Sequence, residues 1–144
     1  MSDESDIYKA LLSHLESFDF DSFDLSSDDV AWPNMLFTPQ VERAWFRPTL
    51  LPADTVQASL GPKGANFHTG LLQVDLFWPK GRGLGAPDDV AGALVAHFAM
   101  GSTVSFNGQN VHVGRPPTRR PSPDDDWYLT VIRIPFYAYT ENPL

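Results

Sequence analysis

"LLQVDLFWPKGRGLGAPDDVAGALVAHF", Leu71 to Phe98, decides how this chain is read, because a strand, a glycine-rich turn and a helix follow one another within it. Leu72, Val74, Leu76 and Trp78 alternate with Gln73 and Asp75, the period of two that marks a strand with one buried face, and Pro79 stops it. Pro87 suits a first helical position, Val90, Leu94 and Phe98 form an apolar stripe, and Gly101 stands where a left-handed cap belongs. Between them Gly81, Gly83 and Ala86 satisfy the dinucleotide-binding spacing G-x-G-x-x-G/A, but the context opposes a nucleotide. That fingerprint follows a parallel strand buried on both faces and read as a continuous apolar run, whereas this strand carries Gln73 and Asp75. Asp88 and Asp89 already occupy the positive end of the helix dipole and repel a phosphate. The turn therefore reads as a surface turn, on which Lys80 and Arg82 either are solvated or face an acidic partner.

Upstream, Asp3, Glu4 and Asp6 precede Ile7, Leu11 and Leu15, which predicts an amphipathic helix over Asp3 to Ser17. "FDFDSFDLSSDD", Phe18 to Asp29, interleaves aromatic and acidic residues without helical spacing and reads as an ordered loop whose phenylalanines cap a core edge. Pro33, Pro39, Pro48 and Pro52 then punctuate short extended runs, and strands are expected at Val41 to Arg47 and Thr55 to Leu60. "GPKGANFHTG", Gly61 to Gly70, is longer than a tight hairpin needs and predicts a projecting hairpin arm.

Downstream, "TVSFNGQNVHV" centres on Asn-Gly, which tolerates the positive φ angles of a type I′ hairpin. "GRPPTRRPSPDDD" reads as an extended surface loop and "WYLTVIRIPFYAYT" as a long final strand. The fold class that follows is α+β, a mostly antiparallel sheet with two helices packed on one face and a projecting arm. Such a sheet leaves edge strands that invite a neighbour. At 144 residues, one domain over 1–144 is expected.

Composition narrows the chemistry. Without cysteine there are no disulfides, thiolate nucleophiles or cysteine zinc sites. No apolar run approaches the roughly 18 to 20 residues of a membrane span, and the acidic start "MSDESD" is not a secretory signal. Eighteen acids against ten bases give a net charge of −8, which repels nucleic acid and anionic membranes at long range. An EF-hand loop begun at Asp19 would need a ligand at Phe23, Gly at Asp24 and Glu at Val30, and all three fail. His14, His68, His97 and His112 share no metal-ligand spacing, and Ser59 and Ser102 lie in no nucleophile motif. No cofactor, metal or catalytic residue is expected. Arg115, Arg119 and Arg120 form a basic cluster, which reads as a solvated loop or a protein-docking arm, with contact to DNA phosphates ranked below these.

Four stretches together resemble the tail terminator, or tail completion, proteins of long-tailed, non-contractile phages. They are "IYKALLSHL", "PNMLFTPQVERAWFRPTLLPADT", the long segment from Leu60 to Phe98 with its G-x-x-Q-V-D-x-F-W-P run, and "WYLTVIRIPFYAYT". The resemblance implies a virion protein assembled in the host cytoplasm and sited at the head-proximal end of the tail. It implies a hexameric ring that caps the tail tube, stops its polymerisation and meets the neck or head-completion protein, while genomic DNA passes through the lumen without specific binding. It implies no enzymatic step and no membrane. A head-tail connector or stopper is the alternative, with a small ligand-binding domain or enzyme behind it. Lys63, Asn66, Phe67 and His68 on the arm and Lys80 and Arg82 in the turn are the candidate contacts with a neighbouring subunit or the major tail protein. The alternative is that the loop from Arg115 to Arg120 makes the main contact.

Overall fold

The computed structural model describes residues 4–57, 64–81, 83 and 85–141. Helix α1 (Glu4–Glu16) is followed by two short 3-10 turns, strand β1 (Trp45–Gln57) and strand β2 (Ala65–Pro79). Helix α2 (Gly85–His97) leads to β3 (Thr103–Phe106), β4 (Gln109–Val113), β5 (Thr118–Ser122) and β6 (Trp127–Glu141). The six strands form one sheet in the order β1-β2-β6-β4-β3, with β5 beside the first half of β6. Every ladder between these strands is antiparallel. The expected α+β class is what the chain adopts.

Both helices lie on one face. Ile7, Leu11 and Leu15 of α1 and Val90 and Leu94 of α2 join Leu72, Val74, Leu76, Ile132, Ile134 and Val111 in one buried cluster. Phe18, Phe20 and Leu25 close its edge beside Phe46, so the acidic segment is ordered by its aromatic residues as expected. Ser26 and Asp29 form a reciprocal capping box on the second 3-10 turn.

Three expectations change. The runs Val41 to Arg47 and Thr55 to Leu60 were read as separate strands broken by prolines, but Trp45–Gln57 is one strand, with Pro48 and Pro52 inside it and a bulge between Pro52 and Thr55. The reason lies in backbone direction. The Phe46 carbonyl accepts a bond from the Ala31 N–H on the outer edge, so every second residue from Phe46 to Pro52 faces outward, where a missing N–H costs no ladder bond. Residues 58–60 of the second run lie outside the described residues.

The arm also differs. Residues 65–70 belong to β2 and pair on both sides, Phe67 with Val56 and with Tyr139. The projection is thus a three-stranded extension of the sheet, and 61–63 lie outside the described residues. Finally, Thr118–Ser122 is a strand inside the stretch read as a surface loop. Its proline is tolerated because Pro121 faces the open edge. The central strand tolerates Pro135 because its carbonyl points at Gly114, in the seam between β5 and β4. Asn107 and Gly108 both have positive φ, as the type I′ hairpin requires.

Candidate assembly surface

Among the described residues, no helix lies over the face of the sheet opposite α1 and α2. Its residues follow from strand parity: Trp45, Arg47, Thr49 and Leu51 of β1 stand beside Phe77, Asp75, Gln73 and Leu71 of β2, and these beside Leu129, Val131, Arg133 and Pro135 of β6. Three zones cross it.

At one end Trp45 stacks on Phe77 with ring centroids 4.0 Å apart, Trp127 meets Trp45 edge-on at 6.2 Å, and Phe37 leans on Trp45 at 5.2 Å. Across the middle runs a polar chain. Arg133 Nε donates to Gln73 Oε1 at 3.2 Å, Gln73 Nε2 donates to Asp75 Oδ1 at 3.1 Å, and Arg47 Nη2 donates to Asp75 Oδ2 at 2.9 Å. Asp75 is buried and its charge is balanced there, while the Arg47 guanidinium lies 5.0 Å above the Phe77 ring and stays half exposed. At the far end an open hollow of about 600 Å³ is lined by Leu51, Phe67, Leu71, Pro135 and Tyr137.

The candidate contact residues scatter about this frame. Phe67 faces the hollow and packs against Tyr139 at 5.1 Å. Asn66 and His68 point to the helix side, where His68 bridges Thr140 Oγ1 at 2.6 Å and Thr55 Oγ1 at 3.2 Å. Lys80 is committed to the Asp125 carbonyl at 2.7 Å. Arg119 also points to the helix side, donating to the Asp88 carbonyl at 3.0 Å over Gly92, whose missing Cβ leaves the guanidinium its room. Arg119 therefore ties β5 to α2. Arg120 shares the open face with Val131, and Arg115 borders the hollow; both are exposed. Lys63 and Arg82 lie outside the described residues.

Sequence reading missed Trp45, Trp127, Arg133 and Tyr139. A signal for them was present: the alternate residues of β6 on this face, Trp127, Leu129, Val131, Pro135 and Tyr137, are nearly as apolar as the set facing the helices. A strand apolar on both sides reads as covered on both sides.

The loop from Pro33 to Glu42 is a second exposed apolar feature. Leu36 is fully exposed, Val41 is 82% exposed and Met35 69%. Elsewhere, His14 and His97 stack at 4.0 Å where the two helices end, each Nε2–H donating to the other residue's carbonyl at 2.7 Å. Burial holds His97 below the ordinary imidazole value.

The glycine stretch forms a surface turn between β2 and α2. Gly81 and Gly83 have positive φ with open space around them, and Asp88 and Asp89 are exposed at the start of α2. Among the described residues no three His, Asp or Glu side chains gather to hold a metal, and no helix is long and apolar enough to cross a membrane.

A profile described as phage tail terminator protein matches residues 6–136. The chain belongs to the phage tail terminator family. It is thus a phage tail completion protein, of a structural rather than an enzymatic family, whose work is contact with other tail and head proteins. A solved protein chain superposes on this terminator with a TM-score of 0.68 at 24% identity, covering 95% of this chain and 98% of its own, which establishes a shared fold. No curated protein matches the sequence.

Proposed function

We propose that the whole chain acts as one terminator domain that assembles into a ring of six on the last disc of the tail tube. The ring stops tube polymerisation and presents its other side to the neck or head-completion protein, at the head-proximal end of the tail. The observation that carries this reading is the helix-free sheet face, apolar at both ends and studded with arginine, on a chain whose family completes phage tails. A face of that composition needs a protein over it.

The ring closes through faces rather than by adding strands edge to edge. Pro48 and Pro52 remove N–H groups from the outward side of β1 and Pro121 removes one from β5, so these two edges offer no continuous ladder, and the remaining edge strand, β3, is only 4 residues long. The exposed loop with Met35, Leu36 and Val41 supplies the contact with tube or neck. A chain with net charge −8 suits a lumen through which DNA slides without sticking.

The test is deletion of the gene followed by electron microscopy of the particles. Tails of uncontrolled length, restored to one length by the gene in trans, are the expected outcome. Normal-length tails beside heads that leak DNA would instead identify a stopper and end this reading.

A further inference from the structure

The sheet has α1 and α2 over one face and, among the described residues, no helix over the other, where Phe37 covers only the Trp45 end, although β6 is apolar on both faces. Arg120 and Arg133 stand two residues apart in register on adjacent strands there. Among the described residues the face carries no lysine, and Asp75, the carboxylate at its middle, is already held by Arg47. Aromatic residues with arginine in place of lysine are the composition of a buried protein interface.

The complementary charge lies elsewhere on the same chain. Asp19, Asp21 and Asp28 are exposed on the 3-10 segment beyond α1, and none of them has a salt bridge among the described residues. Their phenylalanine neighbours Phe18 and Phe20 are buried, so the segment is a fixed acidic ridge rather than a loose loop. Phe18 and Phe20, which flank Asp19, pack into the helix-side core, Phe20 against Phe46, so Asp19 and Asp21 stand away from the arginine face of their own copy and a second copy is needed to bring them together.

We infer that the open sheet face of one subunit receives the acidic ridge of the next, with Arg120 and Arg133 against Asp19 and Asp21. This rests on the ring reading, since a contact between two different surfaces of one chain propagates head to tail and closes when its rotation permits. It also gives the ring a reason to hide these arginines: left in the lumen they would grip DNA phosphates.

Two variants of the full chain test it, R120E/R133E and D19K/D21K, each first confirmed to be folded by its thermal melt. In sedimentation velocity over a concentration series, each alone should self-associate at least about tenfold more weakly than the natural chain, because like charges then meet at every contact. An equimolar mixture should recover assembly, since an alternating ring of the two places opposite charges at every contact. Single variants that assemble as the natural chain does would overturn the inference and leave the ring standing. Weakened variants that the mixture fails to rescue would overturn it too, with some other occupant on the arginine face. A natural chain that forms no oligomer at any concentration and does not cap tubes would remove the ring reading itself.

Discussion

Arg47 shows how a single side chain sets the character of the open face. Its guanidinium neutralises buried Asp75 on the neighbouring strand while resting on Phe77, so charge balance and aromatic packing depend on one residue. R47A should lower stability by about 2–3 kcal/mol, because it strands a carboxylate with Gln73 as its remaining donor. Urea denaturation checks the figure, and the double variant R47M/D75L should recover most of it. His97 makes a second prediction. Its folded pKa lies below its unfolded value of 6.5, so the folded state binds the proton more weakly. The stability it contributes is complete above pH 6.5 and is lost as pH falls through the lower folded value. Thermal melts between pH 7.5 and 5 should drop more for the natural chain than for H97Q, which keeps an N–H donor and cannot titrate; equal drops would count against this account of His97.

Among the elements, β1 carries the most information about what the molecule avoids. A 13-residue edge strand is a template for pairing with other chains, and its prolines stand on the outward side. The variant P48T/P52T restores two outward N–H groups. It should fold, yet raise light scattering and thioflavin fluorescence on storage at concentrations where the natural chain stays clear. Sequence patterning found β2, α2, the Asn-Gly hairpin and β6, because each carries its own period or turn chemistry. It split β1 at its prolines and read β5 as loop, since whether a proline breaks a strand depends on which side its missing N–H faces. That is fixed by neighbouring strands, which local sequence does not specify.

At the scale of the whole molecule, function lies in surfaces that must stay unsatisfied until assembly. Leu36 is the clearest instance, a fully exposed apolar residue on a loop held at Phe37 by Trp45. L36D should change stability by no more than about 0.5 kcal/mol, as expected for a surface substitution. It should nonetheless abolish rescue of normal tail length in a gene-deletion background. Full rescue would show that this loop is not a contact with tube or neck.

The sequence by itself determined the class of fold, the helix-covered face of the sheet, the turn between β2 and α2, and the resemblance that the family match then bore out. All of these rest on periodicity, caps and turn residues, which act between near neighbours in the chain. Only the tertiary structure decided that Phe67 and His68 point to opposite faces, and that Arg119 is spent on α2 while Arg120, one residue on, stands on the open face. Cross-strand register distributes the same residue types between an internal bond and a free surface, and register is settled by packing between distant segments rather than by composition.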